Sequence, residues 1–169
     1  MSSFKNLLIC SILFTLIGCG FRPLHIGSTN SATETLFLET EIAPIENRTG
    51  QLLRNNLVRH LYRGRAKKEP RYRLVTKLSE NKLLFAVKKN AFATRANLAL
   101  TSDFSVSRLL DGKVVFKDSS RITVSFNVLD SEFAAHMAER QAQNRGLRVL
   151  SEDMRTRLAA YFYDQADKR

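Results

Sequence analysis

Residues 98–128 read LALTSDFSVSRLLDGKVVFKDSSRITVSFNV, and their alternation decides the fold. Leu98, Leu100, Phe104 and Val106 are separated by Ala99, Thr101, Asp103, Ser105 and Ser107, a period of two. Successive side chains of a strand point to opposite faces, so the pattern buries one face and wets the other. Asp111-Gly112 interrupts it. This pair favours a two-residue type I′ hairpin turn, whose central residues both need φ > 0. Beyond the turn Val114, Phe116, Ile122, Val124, Phe126 and Val128 keep a single parity. Two antiparallel strands of a sheet covered on one side follow.

The same reading extends outward. Tyr72, Leu74, Thr76 and Leu78 alternate with Arg71, Arg73, Val75 and Lys77, predicting another strand, and 83–90 (LLFAVKKN) reads as strand leading into a turn. Leu36-Phe37-Leu38 with Ile42 predicts a short strand closed by Pro44. Between these, Leu53, Leu57 and Leu61 recur at i, i+4 and i+8, the mark of an amphipathic helix, with Thr49 as the expected N-cap and an end near Gly64. Asp130 or Ser131 can cap a final helix. Its apolar stripe begins with Phe133, Met137 and Ala138 and continues through Leu147, Leu150, Met154, Leu158 and Tyr161. Asn144-Arg145-Gly146 is where that helix would kink. The predicted class is α+β, with two helices packed on one face of a four-stranded, mostly antiparallel sheet.

The chain has 169 residues, 44% of them hydrophobic, and 27 Lys and Arg against 16 Asp and Glu, a net charge of +11. Such a length suits one domain, and the apolar content excludes a wholly disordered chain. Two cysteines are too few for a disulfide-stapled scaffold or a four-cysteine zinc site. The N-terminus narrows the compartment. Lys5 precedes the apolar run Leu7–Ile17, and Gly18-Cys19 follows, the layout of a secretory signal. The run is too short to span a bilayer, which takes about 20 apolar residues. Leu16-Ile17-Gly18-Cys19 resembles the lipobox of bacterial lipoproteins, in which the cysteine is acylated and the chain is cut before it. The expected organisation is a removed signal peptide (1–18), a lipidated tether (19–33) rich in Gly, Ser, Thr and Asn, and one domain (34–165). Cys19 is the expected lipidation site, and Gly20 in place of the Asp typical of inner-membrane retention points to the outer membrane. An exported lipoprotein meets no nucleic acid, so the positive charge needs another anionic partner.

That charge is localised. Residues 48–95 carry 14 basic against two acidic side chains, net +12, whereas 19–47 are net −3 and 96–169 net +1. No nucleophile elbow, P-loop or dinucleotide-binding motif is present, and His25, His60 and His136 have no metal-ligand spacing. No enzymatic activity, cofactor or metal is therefore expected.

Four segments carry a family resemblance. They are Gly18-Cys19-Gly20-Phe21-Arg22-Pro23-Leu24; Asn47-Arg48-Thr49-Gly50-Gln51-Leu52-Leu53-Arg54-Asn55; Ala93-Thr94-Arg95-Ala96 with Leu98; and the stretch from Ser125-Phe126-Asn127 through Ala138-Glu139-Arg140 and Ala142 to Arg157-Leu158-Ala159. In this order they resemble the LptE family of lipopolysaccharide-assembly lipoproteins, in its alphaproteobacterial branch. The resemblance implies a non-catalytic plug that helps assemble the outer-membrane β-barrel LptD and contacts lipopolysaccharide. A barrel wide enough to pass a glycolipid needs such a filling. Arg and Lys suit phosphates and acidic sugars, so Lys88, Lys89 and Arg95 near a turn are the expected lipopolysaccharide contact. A second basic cluster, Arg65, Lys67, Lys68, Arg71 and Arg73, has a similar claim. The alternative is a periplasm-facing lipoprotein that binds another anionic envelope polymer or a different barrel.

Overall fold

In the computed structural model, residues 31–87 and 93–167 are described. They form α1 (Ser31–Leu38), β1 (Thr40–Ile42), α2 (Asn47–Tyr62), β2 (Tyr72–Val87), β3 (Ala93–Arg108), β4 (Val114–Asn127) and α3 (Glu132–Asp167). The sheet order is β1-β2-β3-β4. β1 runs parallel to β2, with α2 as the crossover, and the other pairs are antiparallel. The α+β class holds, and the alternating residues are buried where their parity requires except at Val114, which is 45% exposed where a register shift between Val106 and Ser107 turns the start of β4. Leu74, Leu98, Leu100, Phe104, Val106 and Phe126 face the core, while Lys77, Asp103, Lys117 and Arg121 face outward.

Four local expectations are corrected. Leu36-Phe37-Leu38 is helical rather than extended. Thr33, Leu36 and Phe37 are buried at three- and four-residue spacing, which only a helix brings to one face, and the Thr40 hydroxyl donates to the Leu36 carbonyl at 2.7 Å to end it. The expected boundary between tether and domain at residue 33 therefore falls inside α1.

Thr49 is not a cap. Helix α2 starts two residues earlier, at Asn47, whose φ of 65° is one that Asn tolerates, and no side chain caps it. The Thr49 hydroxyl instead accepts from Gln143 at 3.2 Å, tying α2 to α3.

Asp111-Gly112 is not a type I′ pair, because only Gly112 has positive φ (67°). The Arg108 N–H donates to the Lys113 carbonyl, leaving a four-residue loop, and the Gly112 N–H returns to the Arg108 carbonyl, each at 2.9 Å. The Asp111 carboxylate accepts from the Lys113 N–H and the Arg108 guanidinium.

The fourth correction concerns the last helix. Its start is as expected, since the Ser131 hydroxyl accepts from the Ala134 N–H. It is one helix of 36 residues, so Gly146 does not interrupt it. The reason for glycine lies across the interface. A Cβ at Gly146 would stand 2.6 Å from Leu100 Cδ1 and 3.0 Å from Val124 Cγ2. α3 reaches the sheet there, with Ala142, Leu147, Leu150, Met154, Leu158 and Phe162 buried around the contact. Each large apolar side chain among them contributes about 1.5–3 kcal/mol. The stripe starts at Ala138, which is partly buried against the core, because Phe133 is 77% exposed and Met137 is 40% exposed. The first turns of α3 are held by polar links instead: Lys82 to Glu139 at 2.8 Å and Gln143 to Glu80 at 2.8 Å.

One polar node sits in the interface. The buried Ser120 hydroxyl donates to Asp153, and Arg157 bridges Asp153 at 2.7 Å and Asp118 at 3.1 Å. Burial pushes the Asp153 carboxyl up, but the Ser120 hydrogen bond and Arg157 outweigh it and hold the group below the ordinary carboxylate range.

Two predictions follow from this interface. Gly146→Ala gains helix propensity worth about 1 kcal/mol, yet the overpacking penalty of about 1–3 kcal/mol exceeds it, so urea denaturation should show a net loss of stability. A midpoint above wild type would show that the close contact is not a constraint. Asp153→Asn should lower the melting temperature near neutral pH. A depressed carboxyl contributes its stability above its unfolded pKa of about 3.9 and loses it as pH falls through the lower folded value. The two proteins should therefore converge below about pH 4, and a constant difference down to pH 2 would refute the linkage.

Candidate functional site

The long hairpin separates the expected basic residues into two places. Tyr72 pairs with Arg108 at one end of β2, and Phe85 pairs with Arg95 at the other. At about 3.3 Å per residue these ends are about 40 Å apart, so no single phosphate meets both clusters. Cys19, Lys88 and Lys89 lie outside the described residues.

At the β2 start, Arg71 and Arg73 stand on the outward face of the strand beside acidic partners. Arg71 is 3.6 Å from Glu39, whose carboxylate is largely buried, and Arg73 is 3.0 Å from Glu41 in an exposed pair of small energetic weight. Their charge is locally balanced.

The opposite end differs. Arg95 is exposed on β3, where the register sets it between Phe85 and Asn127. It lines a cleft of about 430 Å³ with Ser125, Phe126, Asn127 and Leu129 on the β4 side and Ala138, Gln141 and Arg145 on α3. Among the described residues neither Arg95 nor Arg145 has an ion-pair partner. Two guanidiniums on one cleft concentrate positive potential and offer forked donors. Phe126 and the half-exposed Leu129 give the same cleft an apolar wall. The arrangement suits an amphiphilic anion.

Arg145 was not among the expected site residues, because fifty positions separate it from Arg95 in the chain. The signal that could have found it is its neighbour. Gly146 seats on Leu100 and Val124, and that contact fixes the helix face on which Arg145 approaches the cleft. Among the described residues no group of three or more His, Cys, Asp or Glu could hold a metal ion. No described helix is long and apolar enough to cross a membrane.

The fold recurs in solved structures. A Caulobacter crescentus CB15 protein, provisionally named a lipoprotein, superposes with a TM-score of 0.65 at 24% identity, over 80% of this chain and 98% of that one. A minor lipoprotein from Acinetobacter baumannii gives 0.58 at 15% identity, over 73% and 92%. Lipoprotein B from Nitrosomonas europaea, an uncharacterised protein, gives 0.54 at 12% identity, over 80% and 91%. At these identities the likeness establishes the fold. No family model matches the chain, and no curated protein matches it in sequence.

The cleft end of α3 is held by polar links rather than by Phe133. Phe133→Ser should therefore change stability by no more than about 0.5 kcal/mol, whereas Leu150→Ala should cost about 2–5 kcal/mol. Chemical denaturation of both variants checks this, and a Phe133→Ser loss of the Leu150→Ala size would place the aromatic ring in the core.

Proposed function

We propose that this chain is an outer-membrane lipoprotein, acylated at Cys19, that plugs and helps assemble an LptD-type β-barrel and contacts lipopolysaccharide without catalysing a reaction. The observation that carries the reading is the cleft where Arg95 and Arg145, neither with an ion-pair partner among the described residues, stand beside Phe126 and Leu129. Phosphates and acidic sugars accept charge-assisted hydrogen bonds from guanidinium, and the acyl part of a glycolipid suits an apolar wall. Arg95 also belongs to one of the segments that resemble the LptE family.

Two further observations support it. All three described helices lie on one side of the sheet, and the uncovered side carries Ser79, Thr101, Ser105, Ser119 and Thr123 with Lys77, Lys117 and Arg121 around an exposed Val75. Such a hydrophilic face suits the polar interior of a large barrel. The lipobox-like Leu16-Ile17-Gly18-Cys19 and the lipoprotein names of the structural neighbours agree with an anchor.

Affinity purification of the tagged native protein from outer membranes should bring down one large β-barrel. Its absence from intact complexes would sink the plug reading. Arg95→Gln with Arg145→Gln should weaken lipopolysaccharide binding at least about tenfold, since hydrogen bonds to charged groups contribute about 1.5–3 kcal/mol. Unchanged affinity would remove the cleft from the function.

A further inference from the structure

The end of the molecule opposite the cleft carries a second charged surface, and three features converge there. Residues 63–71, RGRAKKEPR, hold five basic side chains against Glu69, and all are exposed. The segment is fixed in place. The Lys68 N–H donates to the Leu38 carbonyl at 3.1 Å and the Arg71 N–H to the Glu39 carbonyl at 2.8 Å. Arg63 and Arg65 flank Glu34 at 3.7 and 3.2 Å, leaving Lys67 and Lys68 without an ion-pair partner among the described residues. Lys67 rests 5.1 Å from the Tyr62 ring centre.

Beside this loop stands the β3–β4 turn. Its Leu109 N–H donates to the Arg71 carbonyl at 2.9 Å, so the two loops form one surface. Leu110 at the tip is 91% exposed and Leu109 is 38% exposed, with Arg108 and Lys113 on either side. An isolated exposed leucine is ordinary, but an exposed pair at a hairpin tip beside the basic loop has the amphipathic character of an interfacial contact, although Asp111 in the tip offsets Arg108 at 3.3 Å.

The third feature is where the chain enters. Glu34, held by Arg63 and Arg65, lies one turn from Ser31, the first described residue. Cys19 is twelve residues earlier, and such a segment reaches at most about 40 Å. An acyl anchor at Cys19 therefore joins the described domain through α1, the element that packs beside the 63–71 loop.

We propose that the 63–71 loop and the Leu109-Leu110 tip together dock on an anionic phospholipid surface, supplying a second membrane contact beside the anchor. This rests on the anchor reading for its setting but not for its test. A basic patch adds attraction to anionic headgroups of about fivefold for each Lys or Arg and fixes an orientation that a flexible anchor leaves open. The contact orients the domain with the Arg95–Arg145 cleft pointing away from the membrane surface that it touches.

The mature chain 19–169 with Cys19→Ser, which carries no acyl group, separates the two ideas. In co-sedimentation it should bind vesicles of 30% phosphatidylglycerol in phosphatidylcholine at low salt. Pure phosphatidylcholine vesicles should leave it in solution, and half-molar salt should release it. Arg65→Gln, Lys67→Gln and Lys68→Gln together should weaken binding about a hundredfold. Leu110→Ser should weaken it with folding unaffected, and Lys117→Gln with Arg121→Gln on the sheet face should not. Equal binding to both vesicle types, no response to the triple variant, or loss only with the sheet-face variant would overturn the proposal. Mass spectrometry of the native protein reports acylation of Cys19 independently, so a missing anchor and a missing docking surface are different results.

Discussion

The structure depends on the close approach of one helix to one sheet at Gly146. With no side chain there, α3 settles onto Leu100 and Val124, and a Cβ would have to displace both. This contact fixes the height of the helix over β3 and β4. It lets Ala142, Leu147, Leu150, Met154 and Leu158 fill the space on either side. It also sets the position of the two ends of a helix about 54 Å long. The C-terminal half carries Phe162 into an aromatic cluster with Phe37 and Tyr72, which secures α1 and the start of β2. The N-terminal half presents Arg145 and Gln141 to the sheet end where Arg95 stands. A side chain at 146 would disturb both ends at once.

Long strands and a long helix make a molecule with two chemically different ends. At one, Arg71 and Arg73 are matched by Glu39 and Glu41, and the surplus of cations sits on a loop beside an exposed leucine tip. At the other, Arg95 and Arg145 share a cleft with apolar residues. Of the described basic residues of the middle third, the loop end holds six, from Arg63 to Arg73, and the cleft holds Arg95.

The strands were legible in the sequence because burial on one face imposes strict alternation. The parity of Leu98 through Val106 and of Ile122 through Phe126 translates into register without adjustment. Helix α2 was equally plain from Leu53, Leu57 and Leu61. What could not be read were features set by tertiary contact. Three consecutive apolar residues, Leu36-Phe37-Leu38, fit a strand or a helix, and only the packing of Phe37 on Phe162 chooses. A glycine inside a helix reads as a weak point until the opposing Leu100 shows why a side chain is excluded. Phe133 and Met137 fit the helical period but lie beyond the sheet that would cover them. The site was half legible: Arg95 from its place beside a turn, but not Arg145, which only the seating of α3 brings to it.

Photocrosslinking in living cells distinguishes the two ends of the molecule. A photoreactive phenylalanine analogue at Gln141, in the cleft wall, should give an adduct with lipopolysaccharide, whereas the same group at Lys67 should give none. A lipopolysaccharide adduct from Lys67 with none from Gln141 would contradict the account.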